Sequence, residues 1–223
     1  PPMAAIQKQS LVDQVYARLR SDIITLQLPL GSRINVNELQ DTLGVSCTPI
    51  REAINRLQQE GLITYENNVG ARVLTLEPRD VEEIQQLGST LHCAAAQLAL
   101  IGQADRVEMA GELRRELARF EAAQDPCEQA DAVSHIIKVF YDHSGNRRLV
   151  RSLLSFQGQQ LLLRHLYARM GPDVAQDAAD FRRVIDGTEQ GDADKVCAAI
   201  RDNAKRMEQT VIRSLQTETR AFN

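Results

Sequence analysis

Few residues of this chain are spaced for covalent or metal chemistry. Asp131 and His135 stand one helical turn apart, the i, i+4 spacing that sets two metal ligands on one face. No second pair of ligands accompanies them. The four cysteines, Cys47, Cys93, Cys127 and Cys197, are scattered without a C-x-x-C, which leaves neither a disulfide framework nor a thiolate zinc site. There is no glycine-rich phosphate loop and no nucleophile motif. A different chemistry is written into residues 43–62, LGVSCTPIREAINRLQQEGL. On a helical wheel Ile50, Ile54 and Leu57 form one apolar stripe, and Cys47, Thr48, Arg51 and Asn55 form the opposite one. Short polar side chains with one arginine near a helix N-terminus suit the edges of bases in a major groove.

The elements that must position this helix are legible on both sides of it. Gly44 can take the positive φ of a tight helix–helix turn, Ser46 stands at the N-cap, and Pro49 sits in the first turn, where its missing N–H costs nothing. Gly61 closes the helix as a C′ glycine. Upstream, Leu11, Val15, Leu19 and Ile23 mark an amphipathic helix over residues 10–28 with Ser10 as its cap. Pro29 to Ser32 break it into a loop, and Asn35 caps a short helix that turns Val36, Leu39 and Leu43 inward. After Gly61 the period becomes two. Residues 62–65 and 71–76 read as strands around an Asn67-Asn68-Val69-Gly70 turn. Three helices followed by a hairpin make a winged helix-turn-helix over residues 10–77, behind a short tail at 1–9.

From Pro78 onward the pattern is helical, and residues 78–220 read as an all-α bundle. Six helices are expected near 79–101, 103–123, 127–143, 147–170, 173–190 and 192–217. They are punctuated by Gly102, Pro126, Ser144-Gly145-Asn146, Gly171-Pro172 and Gly191-Asp192. Leu149, Leu153, Leu154, Leu161 and Leu162 supply apolar surface for a shared core. The fold class is therefore mostly α, a winged helix-turn-helix joined to an α bundle.

The chain has 223 residues, 43% hydrophobic and 25% charged, enough for two small domains. The longest apolar run, near residues 94–101, is too short to cross a bilayer, and the first ten residues lack the basic start and apolar core of a signal peptide. A reduced cytoplasmic protein is the expectation. The net charge is −4, so non-specific nucleic-acid binding is disfavoured. A specific DNA reader is compatible with it if a few cations cluster on one face and the protein binds as a dimer.

The N-terminal third resembles the DNA-binding domain of the GntR family of bacterial transcription regulators. The residues carrying this are Gln14-Val15-Tyr16 with Leu19-Arg20, Leu28-Pro29 with Gly31, Glu38-Leu39, Leu43-Gly44-Val45-Ser46, Thr48-Pro49-Ile50-Arg51-Glu52-Ala53, Leu57, Glu60-Gly61-Leu62, and Gly70 with Val73. The C-terminal part is similar to the helical, FCD-like effector domain of the FadR-type subfamily, through Leu98-Ala99, Ser144-Gly145-Asn146 and Gly191-Asp192. The resemblance implies a homodimer held by the helical domains, a winged helix on each half of a near-palindromic double-stranded operator, and a small-molecule effector in the bundle. Repression is the usual output. It assigns DNA contacts to Ser46, Cys47, Thr48, Arg51 and Asn55, with Asn37, Arg33, Asn68 and Gly70 beside them.

The chain departs from the family at informative places. Cys47 stands where an Arg usually follows the capping Ser, Asn37 where an Arg precedes Glu38-Leu39, and Val69 where a basic residue precedes the wing glycine. Each lost Arg–guanine pair removes about 1–3 kcal/mol of discrimination, so a different operator or weaker binding is expected. Arg33, Arg56 and Arg72 are candidates for phosphate contacts. In the effector domain many relatives hold a divalent metal through an Asp, a His one turn later and two further His. Asp131 and His135 match the first pair in spacing, but the last two positions align with Phe181 and Asn203, and Phe cannot ligate. The Arg that often meets an effector carboxylate aligns with Gly88, and the Glu one turn later with His92. The expected pocket involves His92, Asp131, His135, Phe181 and Asn203, is more apolar than usual, and holds no cofactor metal. Two competing readings are an oligomeric helical scaffold with weakened DNA binding, and an enzyme built on His92, Asp131 and His135.

Overall fold

A computed structural model describes residues 10–66, 70–101 and 105–221. The chain divides into two compact units, Pro1–Thr75 and Leu76–Asn223.

In the first unit α1 spans Leu11–Ile24, α2 Val36–Leu43 and α3 Cys47–Gln59, followed by β1 at Ile63–Glu66 and β2 at Gly70–Val73. Ser10 caps α1 by accepting from the Asp13 amide at 3.1 Å. The helix ends four residues earlier than the apolar spacing predicts. Thr25 closes it, and Leu26 takes a φ of 59°, a left-handed turn that the sequence does not announce with a glycine. Val15, Leu19 and Ile23 are buried as expected, whereas Leu11 is exposed. These side chains pack on Ile50, Ala53, Ile54 and Leu57, the inward stripe of α3, all fully buried. Val36, Leu39 and Leu43 of α2 are only half-buried.

The strands pair antiparallel in the register Ile63↔Val73 to Glu66↔Gly70. β2 is shorter than expected. Beyond Val73 only the Leu74 amide continues, donating to the Leu62 carbonyl at 3.0 Å. The segment read as a loop adds to the hairpin: Arg33 bridges Arg72, the Ile34 amide donates to Ala71 O at 2.9 Å, and the Val73 amide to Ser32 O at 2.9 Å. The turn residues Asn67, Asn68 and Val69 lie outside the described residues.

The second unit holds α4 at Pro78–Ile101, α5 at Arg106–Ala122, α6 at Pro126–His143, α7 at Arg147–Arg169, α8 at Val174–Gln190 and α9 at Ala193–Ala221. Short acidic or amide side chains start five of them. Asp105, Asp125, Asn146, Asp173 and Asp192 each accept amide hydrogens of the first turn, and Gly191 ends α8 in the left-handed region at φ 69°. The core is one cluster that includes Cys93, Ala96, Met109, Leu113, Ile136, Phe140, Phe181 and Val196. Leu162 joins the buried set, but Leu154 is exposed, so the leucine-rich run of α7 does not turn every leucine inward. No described helix is long and apolar enough to cross a membrane.

Candidate functional site

The N-terminal end of α3 is presented by the turn before it. Gly44 caps α2 at φ 64°, a conformation that L side chains rarely adopt, and its amide donates to Gln40 O at 2.9 Å. Ser46 follows in extended backbone as the N-cap of α3, and its hydroxyl makes no capping hydrogen bond. That hydroxyl is exposed, as are Thr48, Arg51 and Asn55; Cys47 is half-buried. Arg51 Nε donates to Cys47 Sγ at 3.0 Å, one turn back along the helix. The thiol standing at a usual arginine position thus engages the Nε of Arg51, whose side chain is exposed.

Other expected members differ in how free they are. Asn37 is exposed on α2, its amide held by Asn35 Oδ1 at 3.0 Å. Arg33 is exposed, and Gly70 opens β2 at φ 96° with open space around it. Asn68 lies outside the described residues. Arg56 and Arg72 are engaged by partners within the unit. Arg56 pairs with Asp13 at 2.8 Å and lies 4.0 Å over the Tyr16 ring. Arg72 donates to Gly31 O at 2.8 Å and pairs with Glu66 at 3.1 Å. Glu60, in the cap of α3, accepts from the Tyr16 hydroxyl and from Arg20 Nε at 2.9 Å. These ties hold α3 against α1.

In the second unit a cavity lies among α4, α6, α7, α8 and α9. Two adjoining lobes share Val133, Arg164, Phe181, Asn203 and Met207. His92, Phe181 and Asn203 line it. Asp131 and His135 do not: both are exposed, neither lines a lobe, and His135 Nδ1 lies 2.7 Å from the Asp131 carbonyl of its own helix. Their i, i+4 spacing puts them together on one face, but that face of α6 is the solvent one.

Sequence reading missed the most consequential cavity residue, Arg164. It is buried and donates from Nη1 to Ser134 Oγ at 2.9 Å, with Nη2 3.4 Å from His92 Nε2. A guanidinium only donates, so Nε2 is the acceptor side of His92, and Nδ1–H faces the Tyr141 hydroxyl at 3.0 Å. Burial, with Arg164 beside it, pushes the His92 pKa down to about 3. Burial also pushes Arg164 down to about 10 and the Tyr141 hydroxyl above its ordinary value. The signal for Arg164 was a lone cation inside LLLRHLY, in register with buried Leu163 and Tyr167. Over Gly88, where relatives often carry an Arg, the space is filled by Gln160: a Cβ there would meet Gln160 Nε2 at 2.3 Å. At the far end Asp177 accepts from Tyr167 at 2.8 Å, Asn203 at 3.0 Å and Arg206 at 2.9 Å, and burial raises its pKa.

A divalent metal does not fit this cavity. His92 Nε2 is turned to a guanidinium, Asn203 donates to Asp177, Phe181 stacks edge-on against Phe120 at 5.3 Å, and the Asp131–His135 pair is outside. Among the described residues no three His, Cys, Asp or Glu side chains converge as ligands.

The chain matches the gntR family of bacterial regulatory proteins over residues 11–73 and the FCD domain over residues 83–206. It is 27% identical over 194 residues, 86% of this chain and 80% of the relative, to an HTH-type transcriptional regulator in an unstable DNA locus of Streptomyces ambofaciens. It is 28% identical over 197 residues, 84% of this chain and 82% of the relative, to the probable D-xylose utilization operon transcriptional repressor of Paenarthrobacter nicotinovorans. The fold is similar to Escherichia coli McbR/YncC, with TM-score 0.73 and 21% identity over 95% of this chain and 100% of that one. It is also similar to a GntR transcriptional regulator from Rhodococcus sp. RHA1, with TM-score 0.75 and 18% identity over 92% and 98%. The chain belongs to the gntR family of bacterial regulators that carry an FCD domain. It is a DNA-binding transcription regulator whose helical domain answers to an effector.

Proposed function

We propose that this regulator is of the FadR type and acts as a homodimeric repressor in the bacterial cytoplasm. Each subunit sets α3 in the major groove of one half of a near-palindromic operator. The observation that carries the reading is the exposed row Ser46, Thr48, Arg51 and Asn55, opposite the fully buried Ile50, Ile54 and Leu57. Cys47 orients Arg51 rather than touching a base itself, while Asn37, Arg33 and Gly70 flank the groove. With Arg56 and Arg72 tied inside the unit, Arg33 is the candidate for a backbone phosphate. The response site is the cavity bounded by His92, Arg164, Phe181 and Asn203, and the function is binding and response without catalysis.

The dimer rests on α4. Leu87, Leu98 and Ile101 are exposed at 49%, 38% and 82%, and with half-buried Leu91 and Ala94 they recur at heptad spacing. Such a self-complementary stripe suits a two-fold pair.

Arg51→Ala is the direct test. Fluorescence anisotropy with a fragment from the promoter nearest its own gene should show a preferred sequence, a steep loss of affinity with salt, and a loss on substitution of about 1–3 kcal/mol, roughly ten- to a hundredfold. Unchanged affinity in a folded Arg51→Ala protein rejects the assignment of α3 as reader. A flat response to every fragment favours the scaffold instead.

A further inference from the structure

The inward face of the hairpin runs on past the core. Ile63 and its cross-strand partner Val73 are fully buried, and one step outward on the same face stand Tyr65 and its partner Ala71. Ala71 is still covered, at 5% exposure, but Tyr65 emerges at 49%. Because β1 packs on α3, the ring emerges beside the reading helix. Arg51, bonded to Cys47, is also within electrostatic reach of the Tyr65 phenol. Among the described residues nothing donates to that hydroxyl or accepts from it. Thr64 and Glu66 alternate to the other face, where Glu66 pairs with Arg72 at 3.1 Å, so no carboxylate of β1 shares the face of Tyr65.

We propose that Tyr65 is a DNA-contacting residue that fixes the register of α3, its hydroxyl donating to a phosphate oxygen on the wall of the major groove. This rests on the reading of α3 as the helix that enters the groove. A helix with its side chains is about 10–12 Å across, and the major groove is about 12 Å wide. A helix that fills the groove leaves no base edge for a side chain on its flank, and what that side chain meets is the sugar–phosphate wall. A phenol suits the place. Its ring is rigid, with two torsions to fix, and its neutral O–H makes a charge-assisted hydrogen bond to an anionic oxygen. Such a contact sets position and carries no sequence information of its own. It also answers a shortage, because Arg56 and Arg72, which could have gripped the backbone, are held by Asp13, Glu66 and the Gly31 carbonyl.

The test uses the full chain and the promoter fragment on which Arg51→Ala is measured. Tyr65→Phe removes one oxygen and keeps the ring. Affinity should fall about three- to tenfold without changing which fragment is preferred. The slope of affinity against salt should stay as it is, because a neutral donor releases no counterion. Phosphates of the fragment are then replaced one at a time by methylphosphonate, which removes the charge of that link. At one position in each half-site the wild type should lose affinity, and Tyr65→Phe should lose about threefold less there. The Tm of the free protein should be the same in both, since the hydroxyl has no partner to lose; a structural hydroxyl would lower it. Unchanged affinity in Tyr65→Phe, a loss confined to one base pair, matching methylphosphonate profiles, or a lowered Tm overturns the inference. Where Arg51→Ala still loses affinity, α3 remains the reader and only the role of Tyr65 falls. Where Arg51→Ala binds as the wild type does, the assignment of α3 falls with it.

Discussion

A histidine that is never charged in the folded protein makes stability depend on acid. The ordinary His pKa is 6.5, and in the fold His92 is held at about 3 by burial and by Arg164. Between those values the unfolded chain binds a proton that the folded chain does not. Stability is therefore full above pH 6.5 and is lost as the pH falls toward 3. The ceiling is on the order of 5 kcal/mol. His165, buried on α7, is also shifted down and adds in the same direction. Asp177 works oppositely, because its raised pKa makes the folded chain the stronger proton binder above the ordinary carboxyl value. Chemical denaturation at successive pH values should show the helical unit weakening below pH 6.5. In His92→Gln, which keeps a donor and an acceptor, the slope should be shallower, with the His165 part remaining. An identical slope would remove His92 as its source.

At the scale of elements, the reading helix is aimed by side chains at its far end. Glu60 is nearly buried, at 16% side-chain exposure, and receives hydrogen bonds from Tyr16 and Arg20 of α1. Around it Arg56 stacks on Tyr16 and pairs with Asp13. Glu60→Ala leaves the Tyr16 hydroxyl and the Arg20 guanidinium short of a partner, a cost of about 1–3 kcal/mol to the first unit. Urea unfolding of that unit should show the loss, and operator affinity should fall at temperatures where the unit is still folded. Affinity and midpoint both unchanged would show that α3 keeps its place by the apolar stripe alone. Arg18–Asp22 and Arg79–Glu83, exposed i, i+4 pairs, should contribute little by comparison.

At the scale of the whole molecule, two units with separate cores have separate tasks, and a two-fold pair would couple them to an operator. A second copy would matter because a single recognition helix gives modest affinity, while two heads on one duplex multiply it through effective concentration. Glutamate at both Leu87 and Leu98 should halve the mass seen by light scattering. It should weaken operator binding far more than either exposed position alone would suggest, with the helical content unchanged. A wild-type monomer, or a dimer untouched by both substitutions, would send the interface elsewhere. No charged side chain interrupts the stripe between Leu87 and Ile101, which is why two glutamates there are a severe change.

What the residues determine by themselves is local. Caps at Ser10, Asn35 and Ser46, the glycines at 44, 61 and 191, and the period-two pattern of residues 62–65 place elements within a few residues, because helix ends and hairpins depend on neighbours in the chain. The buried and exposed faces of α3 were legible for the same reason: its two stripes follow from a fixed helical period. The left-handed Leu26 was not, since nothing nearby in the chain demands it. Which side of α6 meets the cavity and which meets water was decided only when α4, α5 and α7 closed around it. That closure put Asp131 and His135 outside, and brought Arg164 to His92 across 72 positions of sequence. Helical spacing fixes which side chains share a face; only packing of distant helices fixes what that face looks at.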